Sequence, residues 1–334
     1  MNLAVMYRGP LASCNYACPY CPFGKRRDTR AQLAADRFAL ERFIAWLEEQ
    51  RHHRWRVLFT PWGEALVRSW YRRALVRLTR CEHVEVAAVQ TNLSCGLGWL
   101  RECRRERLSL WATFHPSQTD MAGFVRRVLR VYESGAGISV GMVAVPGSLG
   151  VLAALRQALP AEIYVWANAQ QPPERRYTEE EVAFLRQIDP LFVYTLVPRR
   201  TQGLACRTGD TVFTVDGHGN MRRCHFVSEV RGNIYSPDWQ RALRPRGCPR
   251  PTCRCYLGFS HLPSLELERF FGDGLLERRP VHRPRDVAAG APLLHVPEVS
   301  QPAQHEGLVA LAHHGRAGVQ GDLARQAADT GCLM

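Results

Sequence analysis

The chain has 334 residues, 46% of them apolar, and its 44 basic and 31 acidic residues give a formal net charge of +13. This length and apolar content predict a substantial core in one large domain with an addition, or in two domains. The charge invites nucleic-acid binding, but Lys25 is the only lysine and the arginines are scattered. This preference for arginine over lysine fits a GC-rich genome better than a phosphate-binding face, so we expect no nucleic-acid partner.

Neither a secretory signal nor a membrane span is expected. Residues 1–8 resemble a strand and lack a basic region followed by an apolar core. The longest uncharged run, residues 134–155, is interrupted by several glycines and a proline, which predicts a strand and a helix instead of a membrane span. Twelve cysteines in such a chain indicate metal binding more than disulfides, and we expect a reducing, cytoplasmic location.

Strands and helices are predicted to alternate from the first residues to about residue 190. The strands are predicted at residues 3–8, 56–60, 84–90, 109–114, 138–145 and 162–167. The helices are predicted at residues 31–50, 70–79, 97–108, 121–133 and 149–159, with another after the capping box that begins at Thr178. Six such units without a Gly-x-Gly-x-x-Gly fingerprint predict an α/β fold, a partial or complete TIM-like βα barrel. Reactive residues of such barrels lie at the carboxyl ends of the strands.

A cysteine-rich loop follows the first predicted strand. Cys14, Cys18 and Cys21 lie within eight residues, too close together for core thiols on a helix face. This spacing suits a loop around one metal centre, because three thiolates can bind an iron–sulfur cluster and leave one iron open. Zinc is the alternative, but it prefers four ligands, and no fourth Cys or His lies near this loop in the sequence.

The C-x3-C-x2-C motif, with Tyr20 before the third cysteine, resembles the signature of the radical S-adenosylmethionine (SAM) enzymes. The resemblance implies that Cys14, Cys18 and Cys21 hold a [4Fe–4S] cluster and that SAM binds the fourth iron. It further implies reductive cleavage of SAM to a 5′-deoxyadenosyl radical, which removes a hydrogen atom from a substrate. The family's core is a six-unit partial barrel, and the six predicted units match it, so the resemblance implies a partial (β/α)6 TIM-like barrel. An electron donor such as flavodoxin or ferredoxin is expected as a partner.

Two later segments resemble the SAM-binding motifs of that family. Gly63 and Glu64 stand where the family carries a Gly-Gly-Glu segment that contacts the SAM amino group, although Trp62 replaces the first glycine. Thr91 and Asn92 resemble the segment that approaches the SAM methionine or ribose. The resemblance therefore implies that these four residues, together with Tyr20, help to hold SAM.

Two further polar residues follow predicted strands. His115 comes after the fourth strand and Asn168 after the sixth, so both are expected near the mouth of the barrel. We take them as candidate catalytic residues, for substrate contact or proton transfer. For His115, a structural or exposed position is the alternative.

A second group of cysteines follows a change in sequence character after Phe192. Residues 211–215 and 221–226 predict a β-hairpin around a glycine-rich turn. Five cysteines surround or follow this hairpin: Cys206, Cys224, Cys248, Cys253 and Cys255.

The spacing of Cys206, Gly219 and Cys224, followed by Gly232-Asn233-Ile234, resembles the C-terminal SPASM or twitch extension of radical SAM enzymes. That resemblance implies an auxiliary [4Fe–4S] cluster. Five thiols are too few for two fully ligated clusters, so we expect one, held by Cys206, Cys224 and two of the other three cysteines. A structural zinc site with four cysteine ligands remains open as the alternative.

These features predict three parts of the chain. The barrel is expected over residues 1–195, a small cysteine-rich β-hairpin extension over residues 196–278, and a disordered tail over residues 279–334. The resemblance implies a radical SAM oxidoreductase or modifying enzyme that acts on a peptide or protein side chain. A small-molecule substrate is one alternative, and a non-catalytic zinc module that binds nucleic acid is another.

Overall fold

The computed structural model describes residues 1–21, 23, 26–171 and 176–280. The tail predicted to be disordered lies outside the described residues from position 281 onward. Within the described ranges, no helix combines the length and the apolar character needed to cross a membrane.

Strands and helices alternate through the first part of the chain. The strands are β1 (Asn2–Arg8), β2 (Arg54–Phe59), β3 (Val84–Thr91), β4 (Leu108–Thr113), β5 (Gly137–Ala144) and β6 (Tyr164–Ala169). The helices are α1 (Arg30–Glu49), α2 (Ser69–Arg80), α3 (Met121–Glu133), α4 (Leu149–Gln157), α5 (Glu179–Ile188) and α6 (Val193–Leu196). The predicted capping box at Thr178 is present and begins α5.

Shorter elements make up the remainder of the described chain. The strands are β7 (Arg199–Arg200), β8 (Ala205–Cys206), β9 (Val212–Asp216), β10 (Asn220–Arg222), β11 (Gly232–Asn233), β12 (Arg246–Gly247) and β13 (Thr252–Cys253). The helices are α7 (Tyr256–Phe259) and α8 (Leu267–Phe271). Single 3-10 turns lie at Trp239–Ala242, Pro263–Leu265 and Gly272–Gly274.

The main sheet has the predicted topology. Strands β1 to β6 are parallel neighbours in sequence order, which confirms the α/β fold and the partial (β/α)6 barrel. The predicted hairpin is also present as β9 and β10, and β9 pairs in parallel with β1. The sheet thus continues from the barrel into the hairpin and reaches nine strands. The boundaries predicted at residues 195 and 278 remain predictions.

The helix predicted over residues 97–108 is wrong. Two 3-10 turns, Gly98–Glu102 and Arg105–Arg107, occupy this stretch instead. Trp99 and Leu100 are buried there, which accounts for the apolar spacing, but Cys103 adopts an extended backbone with φ of −84° and ψ of 151° and ends the first turn. Trp99 and Leu100 therefore join the core on one face of the sheet without a continuous helix.

The sheet separates two apolar clusters. One face, with Val5, Val57 and Leu110, packs with buried residues of the helices of the βα units. The opposite face, with Trp111 and Trp166, packs with buried side chains of α7 and α8. Because successive strand residues point to opposite faces, this pattern places α7 and α8 on the inner face of the partial barrel.

A buried ion pair fixes the segment that follows α8. Arg278 donates from Nη2 to Asp189 Oδ2 at 3.0 Å, and both side chains are inaccessible to solvent. The hydroxyl of Tyr164 also donates to Asp189, at 2.5 Å. The Arg278 guanidinium lies 4.6 Å from the ring centre of Tyr256 in α7. Residues at the end of the described chain are therefore locked to β6 and to the segment after α5.

We expect Arg278→Met to lower the free energy of unfolding by about 3–5 kcal/mol, because it leaves the Asp189 carboxylate buried without its cation. Denaturant unfolding of the full chain measures the change. Arg241→Met is the control, because Arg241 pairs with Asp238 at the surface and should contribute less than about 1 kcal/mol. Equal effects of the two substitutions would contradict the structural role of the buried pair.

Candidate active site

Two carboxylates anchor the start of the loop that carries Cys14. Asp28 Oδ2 accepts hydrogen bonds from the Ser13 amide and hydroxyl, both at 2.8 Å. Asp36 Oδ1 accepts from the Leu11 amide at 3.1 Å, while its Oδ2 accepts from Trp70 Nε1 at 2.7 Å. Sequence analysis missed both acids. Asp36 carries a signal that could have been used, because it lies on the buried face of α1 among apolar residues.

The segment after β2 packs directly against this loop. The Gly63 amide donates to the Leu11 carbonyl at 3.1 Å, and the Glu64 amide donates to the Ser13 carbonyl at 3.2 Å. A Cβ atom at position 63 would collide with the Ser13 carbonyl oxygen. Glycine is therefore required at this position so that the two backbones can lie side by side.

The Glu64 side chain joins this segment to the end of β3. Its carboxylate accepts from Thr91 Oγ1 at 2.7 Å and from the Asn92 amide at 2.6 Å. It also accepts from the Leu66 amide at 2.9 Å. Burial raises the pKa of Glu64, and these hydrogen bonds oppose the rise. The carboxylate thus braces two strand ends.

Asn92 continues the connection to the cysteine loop. Its Nδ2 donates to Asn15 Oδ1 at 3.0 Å and lies 3.9 Å from Cys14 Sγ. The next residue, Leu93, has a φ of +55°, a left-handed conformation that is strained for a leucine. The structure therefore brings the predicted residues Gly63, Glu64, Thr91 and Asn92 to one side of the loop.

His115 lies on another side of the same loop. Its Nδ1 is 3.3 Å from Cys18 Sγ and 2.8 Å from the Tyr20 hydroxyl. The ring of Tyr16 meets it edge-on at 5.8 Å between centroids. Burial lowers the pKa of His115 to about 4, so the imidazole is neutral near pH 7.

Asn168 has a different environment. Its Oδ1 accepts from Arg278 Nη1 at 2.8 Å, and its Nδ2 is buried without a hydrogen-bond partner. Among the described contacts of Asn168, none reaches the cysteine loop. Arg278 fixes the orientation of this amide, and sequence analysis missed it, because the two residues are 110 positions apart.

The three loop thiols suit a positively charged metal centre. The pKa of Cys18 is raised to about 12. Burial is the largest cause, and the neighbouring thiolates of Cys21 and Cys14 act in the same direction. Burial likewise raises the pKa of Cys14. Thiols that disfavour each other's ionisation become thiolates together only when a cation compensates their charge, as an iron–sulfur cluster does.

The five cysteines of the second group line one cavity of about 280 Å³. Short strand pairs bring them there. Cys206 in β8 faces β12, the backbone of Cys248 bonds with residues 203 and 204, and Cys253 in β13 pairs with Arg199 in β7. Gly258 in α7 lies so close that a Cβ there would be 2.6 Å from Cys253 Sγ.

Thiols of this group also influence one another. Burial raises the pKa of Cys224 to about 12, and thiolates of Cys253, Cys206 and Cys248 act in the same direction. In the described ranges, no three His, Cys, Asp or Glu side chains are arranged around a single metal ion. The cysteines of a [4Fe–4S] cluster each bind a different iron, so they surround a volume instead of meeting at one point.

The fold is similar to that of several solved structures at low sequence identity. The anSMEcpe structure with bound AdoMet and the Kp18Cys peptide has a TM-score of 0.50 and 10% identity, over 72% of this chain and 80% of that chain. Streptococcus suis SuiB bound to precursor peptide SuiA has a TM-score of 0.47 and 11% identity, over 71% of this chain and 63% of that chain. BtrN in complex with AdoMet and 2-DOIA has a TM-score of 0.35 and 14% identity, over 69% and 77%. No family model and no curated protein sequence matches the chain.

We expect Gly63→Ala to destabilise the protein by about 3 kcal/mol, because the added methyl group would force the loop backbone away from position 63. Gly96→Ala is the matched control, since a Cβ there meets nothing within 4 Å. Denaturant unfolding without added metal compares the two variants. A Gly63→Ala protein as stable as the Gly96→Ala protein would contradict the close packing at this position.

Proposed function

We propose that the chain is a radical SAM enzyme whose loop cysteines Cys14, Cys18 and Cys21 hold a catalytic [4Fe–4S] cluster. One observation carries the proposal: the cysteine loop lies at the carboxyl end of β1 and is hydrogen-bonded to the ends of β2 and β3 through Gly63 and Asn92. Barrel enzymes place their chemistry at this edge of the sheet. Such a cluster, reduced by an external one-electron donor and with one iron open to SAM, would supply the electron that cleaves SAM to methionine and a 5′-deoxyadenosyl radical, and that radical would take a hydrogen atom from the substrate.

The chain's own residues would orient SAM and shield the site. The Glu64 carboxylate already accepts hydrogen bonds from Thr91 and Asn92. We therefore propose that Glu64 positions the two strand ends and does not bind SAM through a free carboxylate. The backbone of residues 63 and 64 and the side chain of Asn92 are the groups we propose next to SAM. Tyr20 and His115, which share a hydrogen bond, would cover the Cys18 side of the cluster.

We further propose that the second cavity holds one auxiliary [4Fe–4S] cluster. Cys206, Cys224 and two of Cys248, Cys253 and Cys255 are the favoured ligands, because all five cysteines line this cavity. The substrate that we propose is a peptide or protein side chain, as the resemblance to radical SAM enzymes with such extensions implies.

The protein, reconstituted with iron and sulfide under anaerobic conditions, should convert SAM to 5′-deoxyadenosine when dithionite is added. Mass spectrometry measures the product. We expect none from the Cys14→Ala/Cys18→Ala/Cys21→Ala variant, because it cannot hold the cluster. Cys81→Ala should retain native turnover, since the Cys81 thiol donates to the Arg77 carbonyl in α2 and belongs to neither cysteine group.

No 5′-deoxyadenosine from native protein with a fully loaded loop cluster, tested with and without peptide pools, would contradict radical SAM chemistry.

Metal analysis tests the two cluster assignments separately. Native protein should hold about eight iron atoms with matching acid-labile sulfide, and the loop triple variant about four. Cys224→Ala should also hold about four, because it disables only the auxiliary site, while Cys81→Ala should match the native protein. Zinc without sulfide in the loop variant would contradict the auxiliary iron–sulfur cluster and support the zinc alternative.

A further inference from the structure

An arginine without an acidic partner stands at the mouth of the barrel. Arg8 is the last residue of β1 and precedes the cysteine loop. It shares the alternation of Ala4 and Met6, which pack on the inner face, so its side chain leaves the sheet on that face. The side chain is only partly exposed. A cation held here is adjacent to the proposed reaction site.

The contacts of Arg8 use one edge of its guanidinium. Nε donates to the Thr60 carbonyl at 2.8 Å and lies 3.2 Å from Thr60 Oγ1, and Nη2 donates to Oγ1 at 2.8 Å. The indole ring of Trp62 lies against the guanidinium, 4.2 Å from the Arg8 Cζ to the ring centre. Within the described residues, Nη1 makes no hydrogen bond. The outer edge, formed by Nη1 and the second N–H of Nη2, is thus available for a bidentate acceptor.

Three other buried or half-buried arginines are compensated by a carboxylate, whereas the buried Arg223 bonds to backbone carbonyls. Arg278 pairs with Asp189, Arg56 with Glu277 and Arg222 with Asp216. Arg8 has no carboxylate among the described residues, and burial alone lowers its pKa to about 9, so it stays charged at neutral pH. A partly buried charge without a counterion is costly, which favours an anion supplied from outside the chain.

The neighbours of Arg8 connect it to both cysteine groups. Trp62 packs against Phe23, two residues after Cys21, with ring centroids 4.6 Å apart. His225, which follows Cys224, lies with Nε2 3.3 Å from Thr60 Oγ1. Because Thr60 Oγ1 accepts from Arg8, its own proton is free to be donated to a neutral imidazole. Arg8 therefore lies between the loop cluster site and the auxiliary cavity.

We propose that Arg8, held by Thr60 and Trp62, is a recognition site for a carboxylate of the substrate. This assignment rests on the proposed function, since it takes the barrel mouth as the place where substrate binds. A planar carboxylate matches the free edge of the guanidinium through two parallel hydrogen bonds. The site would select substrates with an acidic side chain, a free chain terminus or a small carboxylic acid near the reacting position.

Calorimetric titration of the reconstituted full-length protein with SAM present tests the site. The probes are acetyl-Gly-Glu-Gly-amide, acetyl-Gly-Gly-Gly with a free carboxylate, glutarate, inorganic phosphate, and the neutral acetyl-Gly-Gln-Gly-amide, all at one ionic strength. At least one carboxylate probe should bind about tenfold or more tightly than the neutral peptide. The probe that binds most tightly identifies the source of the carboxylate.

Arg8→Met should lower the preference for carboxylate over neutral probes by about tenfold or more. Arg8→Lys should retain part of this preference, because lysine keeps the charge but lacks the two parallel N–H donors of the guanidinium. Arg54→Met is the control. Arg54 is the first residue of β2, at the amino end of the strand and away from the barrel mouth, and it donates to the Glu82 carbonyl. If Arg8→Met does not fold, Arg8→Lys alone decides, because an unchanged preference in it would overturn bidentate recognition.

Equal binding of charged and neutral probes to the native protein would overturn the proposal, as would tighter binding of phosphate than of any carboxylate, or an unchanged preference in Arg8→Met. Formation of 5′-deoxyadenosine is measured on the same preparations. Carboxylate binding without formation of 5′-deoxyadenosine would contradict the proposed function and not the Arg8 site. Formation of 5′-deoxyadenosine without a preference for carboxylates would contradict the Arg8 site alone.

Discussion

The carboxyl end of β2 is the constraint on which the candidate site depends. At Gly63 the absence of a side chain lets the cysteine loop cross the strand end in direct backbone contact. At Glu64 a buried carboxylate collects donors from the end of β3 and turns Asn92 toward the loop. Gly63 and Glu64 thus tie the cysteine loop to the ends of β2 and β3, while Asp28 and Asp36 anchor its start.

The inner face of the barrel is covered by residues from the last part of the described chain. Side chains of α7 and α8 pack beneath the mouth, and Arg278 enters the same interior to bond with Asp189 and Asn168. The hairpin adds to the free edge of β1 and brings His225 to Thr60. The second cysteine group is thus attached to the barrel through the strand that precedes the first group, with Arg8 between them.

Local patterns made the fold and the cysteine groups predictable from sequence. Alternating apolar stretches identified six strands, and the close spacing of Cys14, Cys18 and Cys21 needs no tertiary information. The helix expected over residues 97–108 was wrong because buried Trp99 and Leu100 have helical spacing in a segment that forms only turns. Periodicity reports burial, and short segments can bury the same residues in more than one conformation.

Residues whose partners are distant in sequence could not be found in this way. Arg278 bonds to a residue 89 positions earlier, and Arg8 to one 52 positions later. Among the scattered arginines nothing distinguished these two, because their importance lies in the presence or absence of a carboxylate nearby in space. Asp36 was more accessible to prediction, since an acid on the apolar face of a helix needs buried donors.

Electron paramagnetic resonance of the reduced loop cluster, before and after addition of SAM, tests most directly whether three cysteines leave one iron open. Reconstituted Cys224→Ala protein, reduced with dithionite, isolates this cluster from the auxiliary one. We predict that SAM shifts the g values of the signal, because a new ligand reaches one iron, and that the triple loop variant gives no such signal. A loop cluster whose spectrum is unchanged by saturating SAM would contradict SAM binding at this site.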